Sequence, residues 1–203
     1  MSAPAAWPAA APERPPAPAA AAPTTALDAA AWRGDVRFLR AAIDSLHPQP
    51  YRRHPRAAWD SAATALARRL PSLPAWDAVG AISAFVALLG DGHSRLDQVR
   101  LEAHTRPTLA PLGLPGMDTR YPVGFAIHAD GLWIERARAP YEDLVGARVV
   151  AIGGRPVAAA VAALAPLISA DNRMWTLYVL PEYLRAPGYA CAAGLVPDPG
   201  APL

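Results

Sequence analysis

Apolar positions recur first at helical and later at strand spacing along the chain. Trp32, Val36, Leu39, Ile43 and Leu46 step by four, three, four and three, which lays one stripe along a helix that must bury against partners. His47-Pro48-Gln49-Pro50 ends that helix. A second starts at His54-Pro55, with proline tolerated in the first turn, carries Trp59, Ala62, Ala63, Leu66 and Leu70, and stops at Pro71. The segment Ser72 to Pro74 opens a third, whose buried side is marked by Trp76, Val79, Ile82, Phe85, Val86 and Leu89. Short loops between the three predict a small antiparallel bundle over residues 27–97.

The pattern then breaks. Residues 98–120 hold Pro111 and Pro115-Gly116 without periodicity and read as a linker. After it the period becomes two. Val123, Phe125 and Ile127 alternate up to Asp130-Gly131, and Leu132, Ile134 and Ala137 return, which predicts a hairpin turning at Asp130-Gly131. Another strand is expected at Val149 to Ile152. Gly153-Gly154-Arg155-Pro156 reads as a tight strand-to-helix turn, because neither the spacing nor a following Lys-Ser makes a phosphate loop. A helix over Val157 to Ile168 follows. Ser169 is expected to cap a further helix through Trp175, Leu177 and Tyr178, which Pro181 must end, kink or restart. Tyr189 to Val196 reads as a last strand. The fold class is α+β, with the strands and remaining helices over residues 121–203.

Composition adjusts the edges of this picture. Of 203 residues 53% are apolar, enough for a core. Residues 1–26 are nearly all Ala and Pro and predict a disordered, extended tail outside the fold. Prolines break every Ala run there and the first basic residue is Arg14, so no signal peptide is recognisable and the default location is cytoplasmic. No run of 18 apolar residues predicts a membrane span. The net charge is +2, and the densest basic group, Arg52, Arg53 and Arg56, reads as a solvated helix entry, so no nucleic acid partner is implied. All 19 basic residues are arginine. That excludes for this chain any lysine base, Schiff base or phosphate-cradling lysine. Cys191 is alone and forms no intramolecular disulfide.

Candidate chemistry concentrates in Gly90-Asp91-Gly92-His93-Ser94. Gly90 stands just past the last periodic residue and can close the third helix in the left-handed conformation, while Asp91-Gly92 is a turn dipeptide. His93 is thereby expected at a fixed exit from a rigid element, either as a structural residue or as an acid/base group. The other histidines, His47, His54, His104 and His128, show no zinc spacing, so neither a metal nor a cofactor is expected.

The order of these segments resembles a known family. Asp35-Val36-Arg37-Phe38-Leu39, Leu46-His47-Pro48 leading to Tyr51, the helix ending in Leu88-Leu89-Gly90-Asp91-Gly92-His93-Ser94, and then Ile152-Gly153-Gly154-Arg155-Pro156-Val157 before a helix are similar to the front half of tail-specific (C-terminal-processing, tricorn-core-like) serine peptidases. The resemblance spans roughly residues 30 to 196. It implies that the leading helices are a cap domain and that residues 121–203 form a PDZ-like partial barrel. It implies cleavage of a peptide or protein substrate, with His93 as general base, and allows a periplasmic or secreted location if the true start lies upstream. Family members use a serine-lysine pair or a serine activated by histidine and an acid, and a lysine-free chain fits only the second.

No Gly-x-Ser-x-Gly elbow occurs, and Ser2, Ser45, Ser61, Ser72, Ser83, Ser94 and Ser169 fall in tail, helices, turn or caps. Ser94 is not expected to be the nucleophile, and Asp91 is expected to shape the turn more than to orient the imidazole. The chain is therefore expected to be inactive alone, as a fragment, a split gene product or a truncated peptidase, and a separately encoded catalytic core is a candidate partner. The alternative is a non-catalytic peptide-binding module, in which Val123, Gly124 and Phe125 offer a strand edge to an extended peptide.

Overall fold

A computed structural model describes residues 28–96 and 120–203. The Ala/Pro tail, the linker up to residue 119 and His104 lie outside the described residues. The described chain is α+β, with six helices and two small antiparallel sheets.

Three helices come first. In α1 (Ala29–Leu46) the Asp28 carboxylate caps the start, accepting from the Ala30 and Ala31 amides, and the His47 amide closes the end on the Ile43 carbonyl. Helix α2 (Arg56–Arg69) follows Pro55 and runs into a 3-10 turn, Leu70–Ser72. Helix α3 (Ala75–Ala87) follows Pro74. Their facing stripes enclose a core of Val36, Ile43, Trp59, Leu66, Leu70, Phe85, Val86 and Leu89. Trp59 is wholly buried and meets the Phe85 ring edge-on at 4.8 Å. Leu46 departs from the expected seam and is 81% exposed. The last step of three turns it about 60° short of the Ile43 direction, and the helix ends before another turn can bring the stripe back.

The second body opens with β1 (Val123–His128) and β2 (Gly131–Ala137), paired antiparallel with Phe125 opposite Ile134 and Ile127 opposite Leu132. Ala129 and Asp130 form the turn, and Gly131, with φ +151°, is the first residue of β2. The expected strand from Val149 to Ile152 is two pieces. Strand β3 (Arg148–Val149) adds to β2, whereas β4 (Ala151–Ile152) pairs with β5 (Arg155–Pro156) in a second sheet. Between them Val150 is 77% exposed. Gly153 and Gly154 both take positive φ, as a two-residue turn matched to strand twist requires. Any side chain on Gly153 would also overlap the Leu195 carbonyl.

Helix α4 (Val157–Leu164) stops short of the expected end because Pro166 draws the chain into a 3-10 turn, Ala165–Leu167. The cap of α5 (Arg173–Arg185) is Asn172, whose Oδ1 accepts from the Trp175 amide at 3.0 Å, and Ser169 is not the cap. Pro181 lies inside α5 without ending it.

The last expected strand, Tyr189 to Val196, is corrected to a helix, α6 (Pro187–Ala192). Ala190 and Ala192 favour helix and Pro187 suits the first turn. Because every residue of α6 is buried, no alternation of exposure marks it. Trp76 and Val79 of α3 join this second core, with Phe125, Leu132, Ile152, Leu164, Leu180 and Leu184. One helix thus serves both apolar clusters. Among the described residues no helix is long and apolar enough to cross a membrane.

Candidate functional site

The chain leaves α3 through Leu88 and Leu89 and reverses at Gly90, where φ is +60°. That left-handed glycine closes the helix as its place after the last buried leucine predicts. The Ser94 amide then donates to the Asp91 carbonyl at 3.1 Å, making Asp91 to Ser94 a tight turn.

Asp91 organises the turn. Its Oδ1 accepts from the His93 amide at 3.0 Å, and its Oδ2 accepts from the Ser94 hydroxyl at 2.7 Å. His47, the residue that caps α1, reaches the same Oδ2 with Nε2 at 3.3 Å. The Gln49 amide donates to His47 Nδ1 at 3.1 Å, so the imidazole proton sits on Nε2 and is given to Asp91. Burial pushes the Asp91 carboxyl up, but the His93 amide, the Ser94 hydroxyl and His47 outweigh it and hold the group below its ordinary range.

A second set of bonds ties the turn to the segment before α5. Ser169, 4% exposed, accepts from the Asp91 amide at 3.2 Å and donates to the Asp91 carbonyl at 2.7 Å. Asp171 accepts from the Gly92 amide at 3.0 Å through Oδ2 and meets Arg52 at 3.4 Å through Oδ1. The Arg53 guanidinium donates to the Asp171 carbonyl. The turn is held from the α1–α2 loop on one side and from residues 169–171 on the other.

His93 projects from this clamp. Its side chain is 85% exposed, and Nδ1 lies 3.5 Å from Asp91 Oδ1, within ion-pair reach but long for a hydrogen bond. Its ring stacks on Trp175 of α5, with centroids 5.7 Å apart and planes inclined by 29°. The Trp175 indole also lies where a Cβ on Gly92 would be, so any side chain there must displace the indole. Trp175 also lines a shallow open groove with Asn172, Met174 and Tyr178.

The arrangement presents an exposed imidazole with a carboxylate 3.5 Å from Nδ1, and an exposed imidazole is a group that can accept a proton. Ser94 is committed to Asp91, and among the described residues no serine hydroxyl bonds to an imidazole. His54 and His128 are exposed, on the loop before α2 and at the end of β1. No three His, Cys, Asp or Glu side chains gather as a metal site needs, among the described residues.

The strand-edge candidates sit apart from the turn in β1, an edge strand of its sheet. The Val123 carbonyl is taken by Arg185 Nε at 3.0 Å, Gly124 is buried, and Phe125 is a core side chain, 5% exposed. The structure adds His47, Ser169, Asp171 and Trp175 to the site, residues lying between 44 and 82 positions from the turn members they touch. Only the prolines after His47 offered any local cue, since they fix where α1 must turn back.

No family model matches this chain, and the comparisons with curated proteins and with solved structures found no match.

Proposed function

We propose that the chain is the front part of a serine-type peptidase resembling the tail-specific family, with the three leading helices as its cap, the strand-and-helix body as its PDZ-like part, and His93 as the general base. The observation that carries this reading is the exposed His93 imidazole on a clamped turn, its Nδ1 3.5 Å from the Asp91 carboxylate. A solvated surface histidine has no need of a turn tied down at both ends.

In this reading a serine from a catalytic core outside the described residues approaches Nε2. Its oxygen bonds to the scissile carbonyl carbon as its proton passes to Nε2. The imidazolium then gives that proton to the amine nitrogen as the C–N bond breaks, leaving an acyl-enzyme that water hydrolyses by the same two transfers.

Peptide hydrolysis by the product of the complete locus tests the assignment. His93→Ala is expected to lower kcat/KM by about 10²- to 10⁴-fold, the usual worth of a general base; unchanged hydrolysis would overturn it. The purified chain alone is expected to take up no fluorophosphonate, and a labelled Ser94 or Ser169 would place the nucleophile within this chain instead.

A further inference from the structure

We infer that His47 is a positioning residue for His93, acting through the Asp91 carboxylate. The inference rests on the reading of His93 as a general base. The Asp91 carboxylate is held on both oxygens: Oδ1 accepts from the His93 amide at 3.0 Å, and Oδ2 has two donors. Ser94 supplies one from within the turn at 2.7 Å, and His47 supplies the other from the end of α1 at 3.3 Å. With Oδ2 held, Oδ1 stays on the His93 amide at 3.0 Å and 3.5 Å from His93 Nδ1.

A carboxylate next to Nδ1 favours the tautomer with its proton there, which leaves the Nε2 lone pair for a substrate proton. The stack on Trp175 limits how far the ring can swing from that carboxylate. His47 cannot itself be the base. Its Nδ1 lone pair is occupied by the Gln49 amide, its Nε2 proton is given to Asp91, and its side chain is 16% exposed. The distance of His47 from the turn in sequence also makes the seat of α1 part of the site.

Nitrogen-15 NMR of the imidazoles reads the tautomer directly and needs no enzymatic activity. His93 is expected mainly as the Nδ1–H form in the wild type and in His47→Gln, whose amide keeps a donor near the position of Nε2. In His47→Phe, which keeps ring volume and removes the donor, the Nδ1–H to Nε2–H ratio is expected to fall by about two- to tenfold, the upper figure being the whole worth of the lost bond to Asp91. An equal ratio in wild type and His47→Phe overturns the inference, and so does an Nε2–H form in the wild type. If His47→Phe does not fold, His47→Ala, which also removes the donor to Asp91, decides in its place: an unchanged ratio there overturns the inference, and a fall in the Nδ1–H share supports it. A locus product that hydrolyses no peptide would overturn the base assignment alone, because the tautomer ratio reports on the positioning without it.

Discussion

Asp91 receives a backbone amide, a hydroxyl and an imidazole on one carboxylate, and these donors set how the fold responds to acid. Burial raises its pKa, but the donors overcompensate, so the folded value lies below the ordinary 3.8. A carboxyl shifted this way stabilises the fold at pH above the unfolded value. Its contribution is lost as pH falls from about 3.8 through the lower folded value. Asp91→Asn is expected to cost about 1–3 kcal/mol near neutral pH and to flatten this acid-side loss, measured by urea unfolding across a pH series. Gly92→Ala places a methyl where the Trp175 indole packs. It is expected to cost about 1–3 kcal/mol and to shift the Trp175 resonances, read by denaturation and NMR.

Among the elements, the segment between α4 and α5 matters more than its loop character suggests. Ser169 was expected to cap a helix, but it holds both backbone groups of Asp91 while Asn172 performs the capping. The two can be separated. Ser169→Ala leaves the part-buried Asp91 amide without its acceptor, while the carbonyl keeps the Ser94 amide, and is expected to cost about 1–3 kcal/mol, with faster hydrogen exchange at the Asp91 amide. Asn172→Ala is expected to cost about 1 kcal/mol by loss of a cap, leaving that amide protected. The β4–β5 turn is equally specific: Gly153→Ala meets both a positive φ and the Leu195 carbonyl. A loss above about 1 kcal/mol is expected there, measured as a lower urea midpoint.

At the scale of the whole molecule, α3 joins what would otherwise be separate cores. Phe85, Val86 and Leu89 pack with Trp59, while Trp76 and Val79 pack with the sheet and α6. Gly188 lets α6 pass directly against the Trp76 ring. Unfolding is therefore expected to be one cooperative transition. The indole signals of Trp59 and Trp76 should disappear at the same denaturant concentration, and separate midpoints would refute a shared core.

The sequence by itself determined the helices α1 to α3, the hairpin of β1 and β2, the glycine stop at Gly90 and the candidacy of His93, because each is written in local spacing, capping or turn chemistry. Tertiary structure alone decided that residues 187–192 are helical, since burial on every side erases the periodicity that would mark them. It also split the expected strand at Val150, and it brought His47, Ser169, Asp171 and Trp175 to the turn. Contacts of that kind depend on how α1, α3 and α5 pack, and packing is a property of three-dimensional faces that no local pattern of residues encodes.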